Sequence, residues 1–143
     1  FICNHCPYVK HVNNTIVELA NKFQSEKVNF IAISSNDVEN YPDDSPELMK
    51  INAFEYNFSF PYLYDESQKT AKEYDAACTP DFYLYSHDLK LVYRGQLDDS
   101  RPGNGIECDG KDLKNAMECL LLGTENMSTQ KPSIGCNIKW KDN

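Results

Sequence analysis

The chain has 143 residues and a formal charge of -8, with 22 acidic residues against 14 lysines and arginines. That length is enough for one soluble domain with a real core, and no apolar run approaches the roughly 20 residues of a membrane helix. The scattered basic residues leave no stripe to neutralise phosphates, so neither nucleic acid nor a membrane surface is expected as a partner. Six cysteines, at 3, 6, 78, 108, 119 and 136, are too few for a disulfide scaffold and leave the compartment open.

The first nine residues, Phe1-Ile2-Cys3-Asn4-His5-Cys6-Pro7-Tyr8-Val9, read as an apolar strand end, a Cys-x-x-Cys and a proline that opens a helix. A helix N-terminus carries unpaired N–H groups and partial positive charge, which stabilise a thiolate, the form that attacks a disulfide. On this reading Cys3 is the exposed nucleophile with a depressed pKa, and Cys6, one helical turn on, is the covered resolver. Zinc is the rival reading, but no second Cys-x-x-Cys or His-x-x-x-His supplies the remaining ligands, so no metal and no cofactor are expected. His5 reads as a polar group tuning the thiols and His11 as a helix-surface residue.

Val9, Val12, Ile16, Leu19, Ala20 and Phe23 then recur at helical spacing, with Asn13 among the residues placed on the wet face. Lys27–Ser35 is β-branched and almost continuously apolar, as in a central strand covered on both faces. Ser45-Pro46 gives an N-cap and first helical residue for a helix towards Tyr56. Phe60–Tyr64 reads as a strand, and Asp65 with Gln68 as a capping box opening a short helix.

After Ala77-Cys78-Thr79-Pro80-Asp81, the runs Phe82–Tyr85 and Leu91–Arg94 form a hairpin by pattern and loop length. Gln96–Gly110 is a glycine-punctuated loop, and Leu113–Leu121 an amphipathic helix closed by Gly123. Residues 124–143 are a tail whose Ile134, Cys136, Ile138 and Trp140 alternate, as expected of a segment packed on the domain. Cys108 and Cys119 read as bystanders, and Cys78 as core filler or a neighbour of the active pair.

This order of elements, with Cys-x-x-Cys at a helix start and Thr-Pro at the head of a later strand, resembles the thioredoxin superfamily. The segments Phe1–His11, Ser35-Asn36-Asp37, Cys78–Phe82, Tyr93-Arg94-Gly95, Asp98–Asn104 and Pro132–Cys136 are similar to its peroxiredoxin-like branch, often grouped with alkyl hydroperoxide reductases and thiol-specific antioxidant proteins. The resemblance implies an α/β thioredoxin-like fold: a central mixed sheet with helices on both faces, in a single domain over 1–143. It also implies a further strand ahead of Phe1, and Thr79-Pro80 as a cis pair whose backbone is free to dock a substrate chain.

The activity implied is thiol-disulfide exchange at Cys3 and Cys6, with a protein or small-molecule disulfide as substrate and an external thiol as reductant. Peroxidases of the group carry Thr-x-x-Cys and an arginine beside the sulfur. Here Cys3 stands at the Thr place, and Arg94 and Arg101 are the only arginines. Peroxidase chemistry at Cys6 is therefore the alternative, and a redox-inactive binding subunit the third reading. Cys136 is an additional redox candidate, set against plain packing beside Ile134, Ile138 and Trp140.

Overall fold

A computed structural model describes residues 1–142. Helix α1 (Pro7–Gln24) begins at Pro7, whose missing N–H costs nothing there, and buries the apolar stripe read from the sequence. Asn13, expected to face water, is wholly buried. It lies four residues after Val9 and three before Ile16, which puts it in their row on the helix.

The apolar run before Ser35 gives only a short strand, β1 (Ala32–Ser34), and Ile31 just ahead of it is 63% exposed. Pairing limits β1: its parallel partner β2 (Tyr62–Tyr64) has the same length, in the register Ala32↔Tyr62 to Ser34↔Tyr64. Between them run a single 3₁₀ turn (Pro42–Asp44) and α2 (Pro46–Glu55). Ser45 Oγ caps α2 by accepting the Leu48 N–H at 3.3 Å.

The Asp65 and Gln68 pair is only half of the expected device. Asp65 accepts the N–H groups of Thr70 and Ala71 at 3.3 and 3.0 Å, capping α3 (Lys69–Glu73). Gln68 does not reach back; its amide donates to the Ser35 and Lys139 carbonyls at 2.7 and 2.8 Å, tying the tail to the end of β1.

The hairpin is present as β4 (Phe82–Tyr85) against β5 (Leu91–Gly95), with a bulge at Leu84/Tyr85. Helix α4 (Lys111–Leu122) packs on it and ends at Gly123, left-handed at φ 67°, with the Thr124 N–H returning to the Cys119 carbonyl at 3.0 Å. Upstream of the hairpin, β3 (Cys78–Thr79) pairs antiparallel with β6 (Cys136–Asn137) of the tail. Of the tail's alternating residues Ile138 alone is fully buried, while Ile134 and Trp140 are exposed.

Among the described residues the chain is thus a mixed α/β structure of four α-helices and three two-stranded ladders. The expected single central sheet is divided because its middle is carried by Phe1 and Ile2. Phe1 exchanges backbone hydrogen bonds with Asp81 at 2.8 and 3.0 Å, and the Ile2 N–H donates to the Ile33 carbonyl at 2.9 Å. Those two residues lie between the β1–β2 and β4–β5 pairs and deliver Cys3 to the end of α1, over a core that includes Phe23, Tyr93, Leu97 and Met117.

Candidate functional site

The two residues between the cysteines are pinned by Asp44, at the end of the 3₁₀ turn. Its fully buried carboxylate accepts the Asn4 N–H at 2.8 Å and the His5 N–H at 3.2 Å through Oδ1. Through Oδ2 it accepts the Asn36 amide at 2.8 Å and stands 2.5 Å from His5 Nδ1. Asn4 in turn donates to the Asp43 carbonyl at 3.1 Å and accepts the Tyr62 hydroxyl at 2.9 Å. A buried carboxylate without such donors would be costly, and here it fixes the Cys-Asn-His-Cys bend. Nothing local in the sequence marked Asp44 for this role.

Cys6 is the N-cap residue of α1, so its sulfur sits where the first-turn N–H groups point. The Cys3 thiol lies within hydrogen-bonding reach of that sulfur. Cys3 Sγ is also 3.6 Å from Thr79 Oγ1, and Cys6 Sγ 3.5 Å from the Thr79 carbonyl oxygen. The Thr79–Pro80 peptide bond beside them is cis. The structure therefore brings Cys3, Cys6, Thr79 and Pro80 together.

The surroundings of the two sulfurs push their pKa values in opposite directions. The hydrogen bond from Cys3 draws Cys6 down to about 4 against the opposing effect of burial, helped by the Cys136 thiol and the N–H groups of Val9 and Cys136. Cys3 is pushed up, first because its proton is held by Cys6, then by burial and by the negative charge of Asp44. These effects favour the thiolate at Cys6. Nor is Cys3 the exposed member: both thiols are buried, at 1% and 0%.

The tail packs against this cluster through Cys136. In the β3–β6 ladder Cys136 lies opposite Thr79, so the docking edge expected to be free is filled by the chain itself. Gly135 permits the approach, since a Cβ there would fall 1.8 Å from the Thr79 carbonyl oxygen. Cys136 Sγ comes within hydrogen-bonding reach of Cys6, and burial, followed by that hydrogen bond and then the Cys6 charge, lifts the Cys136 thiol to about 11. Cys78 is adjacent in sequence, but its thiol is directed at the Ser133 and Pro80 carbonyls, 3.8 and 4.0 Å away, and burial raises it.

Beyond Pro80 a cleft of about 20 Å³, lined by Tyr8, His11, Phe82, Arg101 and Ile134, has room for little more than a water molecule. His11 is not a free surface residue: its Nε2 stands 3.0 Å from Ser100 Oγ, which donates to the buried Asp98 at 2.5 Å. Arg94 is committed to Asp75 and Asp81, and Arg101 to the Asp98 and Ser100 carbonyls and Gln96. Among the described residues, Cys3, His5 and Asp44 have metal-ligand atoms within 4.8 Å of one another, yet both Asp44 oxygens already accept N–H groups.

A mixed α/β chain whose paired thiols meet a helix start and a cis Thr-Pro has the marks of the thioredoxin-like class. The chain belongs to the AhpC/TSA family, whose model matches residues 1–94. A crystal structure of an uncharacterized conserved protein from Geobacillus kaustophilus superposes with a TM-score of 0.98 at 60% identity, over 100% of this chain and 76% of that one. A hypothetical protein from Sinorhizobium meliloti gives a TM-score of 0.98 at 44% identity, over 100% of this chain and 78% of that one. No curated protein matches the chain.

Proposed function

We propose that the protein is a thiol-disulfide oxidoreductase that cycles Cys3 and Cys6 between dithiol and disulfide. The observation that carries this reading is the packing of two sulfurs against Thr79 at a helix N-terminus, one 3.6 Å from its hydroxyl and the other 3.5 Å from its carbonyl oxygen. The backbone bonds of Phe1 to Asp81 and of Ile2 to Ile33 support it, since residues 1–2 then stand where the middle strand of a thioredoxin-like sheet would run between the β1–β2 and β4–β5 pairs. The Cys6 thiolate attacks a disulfide sulfur and expels one substrate thiolate. Cys3 then gives up its proton, attacks Cys6 and expels the second, leaving a Cys3–Cys6 disulfide for an external thiol to reduce. No cofactor enters the cycle.

Peroxide reduction is a second reading, favoured by the depressed pKa of Cys6. Against it, Arg94 is paired with Asp81, and the terminal nitrogens of Arg101 are bound to the Asp98 and Ser100 carbonyls and to Gln96.

Turnover of insulin disulfides with dithiothreitol tests the first reading. Wild-type protein should accelerate it, Cys6→Ser should abolish it, and replacing Cys3 together with Cys136 by serine should trap a mixed disulfide on Cys6. Full activity of Cys6→Ser sinks the proposal, and peroxide consumption without disulfide reduction shifts the assignment to the second reading. Inactivity in both assays leaves a binding module.

A further inference from the structure

Resting on that reading, we infer that Cys136 is a third redox thiol, presented to Cys6 by a tail strand that occupies the docking edge as an internal substrate. Three observations converge on it. The ladder places Cys136 opposite Thr79, whose carbonyl oxygen is 3.5 Å from Cys6 Sγ. The Cys136 and Cys3 thiols both interact with Cys6, so that sulfur has two thiols as neighbours. Gly135 brings the tail so close to Thr79 that no side chain fits between them.

The strand is also held on both sides of the contact. Ser133 Oγ donates within reach of the Asp81 carboxylate and the Gly95 carbonyl, at 2.9 and 2.6 Å. Beyond β6 the Ile138 N–H donates to the Ala77 carbonyl at 3.0 Å, and the Lys139 N–H to Asn36 Oδ1 at 2.9 Å. Main-chain pairing with alternate side chains directed into the site is how an added strand is recognised at a sheet edge. Here the added strand belongs to the same chain and carries a thiol.

The exchange balances with a small-molecule disulfide as oxidant. The Cys6 thiolate attacks one sulfur of RS–SR, forming Cys6–S–S–R and releasing RS⁻. Cys136 loses its proton to that thiolate and attacks the Cys6 sulfur, forming Cys6–S–S–Cys136 and releasing a second RS⁻. Two protein thiols are oxidised by two electrons and one disulfide is reduced to two thiols. Cys3 attack on Cys6 would then return Cys136 to the thiol and move the disulfide to Cys3–Cys6. While the strand is seated, an external chain cannot pair with Thr79.

Reduced full-length protein titrated with oxidised glutathione, acid-quenched and mapped by mass spectrometry tests this. A Cys6–Cys136-linked peptide should form in wild type and dominate in Cys3→Ser. In the Cys3→Ser/Cys136→Ser double variant the Cys6–glutathione adduct should persist. Formation of that adduct in Cys3→Ser with no Cys136-linked peptide overturns the inference and leaves the oxidoreductase reading standing. Absence of any adduct or intramolecular disulfide in wild type removes both. Gly135→Ala should raise the rate of Cys6 alkylation by about tenfold or more, because local opening of the strand no longer has to precede the reaction. An unchanged rate overturns the seated-strand role.

Discussion

The carboxylate of Asp44 holds the backbone N–H of Asn4 at 2.8 Å across 40 residues of sequence, and through it sets the spacing of the two thiols. Asp44 is completely buried, and its donors are main-chain and amide N–H groups together with the His5 ring. Asp44→Ala leaves those donors without an acceptor, at about 1–3 kcal/mol for each buried group left unpaired. The variant is expected to lose at least about 3 kcal/mol of stability, read as a lowered urea midpoint at unchanged slope. It should also lower the Cys3 pKa, since a negative charge that opposes the Cys3 thiolate has been removed. A variant as stable as wild type contradicts this account.

What could be read from the sequence, and what could not, divides along the range of the interactions. Pro7, Ser45, Gly123 and the hairpin act within a few residues of themselves, and each does in the structure what its local pattern implies. Asp44 carries no local signature, because its partners come from two separate segments. The β3–β6 ladder escaped for the same reason: two residues pair with two others more than 50 positions away. A helix terminus acts on whichever cysteine caps the helix. The cap is Cys6, and Cys3 precedes it.

Thr79 offers a test of how the thiols share a proton. Its hydroxyl stands 3.6 Å from Cys3 Sγ and lowers the Cys3 pKa, against the larger opposite effects of Cys6 and burial. Thr79→Val keeps the shape and removes the hydroxyl. The Cys3 pKa should rise further, and resolution of a Cys6 mixed disulfide by Cys3 should slow at every pH below it. Stopped-flow release of a chromogenic thiol measures this. Faster resolution in the valine variant contradicts the hydrogen bond's role.

The depressed Cys6 pKa makes its own prediction. With a value of about 4, the sulfur is already thiolate throughout the neutral range, so its reactivity cannot climb with pH as that of a free cysteine near 8.5 does. In Gly135→Ala, where the sulfur is more accessible, the iodoacetamide rate at Cys6 should stay flat between about pH 6 and 8. Cys3 should remain unreactive over the same interval, because its proton is held. Cys3 alkylating first would restore the roles read from the sequence.

Asp98 sets the acid limit of the loop behind the site. Burial pushes its carboxyl up, but the Ser100 hydroxyl, at 2.5 Å, with the N–H groups of Gly110 and Ser100 at 2.7 and 2.8 Å, outweighs that and holds it below the usual carboxylate range. A carboxyl whose folded pKa is depressed stabilises the fold fully above its unfolded pKa of about 3.9, and the contribution is lost as pH falls through the lower folded value. The stabilisation is therefore constant at neutral pH and fades only in acid. Asp98→Asn should be less stable than wild type at neutral pH, because at least one donor then faces an amide nitrogen, and the gap should narrow below about pH 4 as the wild-type carboxyl protonates. Urea midpoints of the two proteins across that range measure the gap. Its persistence undiminished into acid would mean that the carboxylate's charge contributes nothing, and that Asp98 holds Ser100 and Gly110 by shape alone.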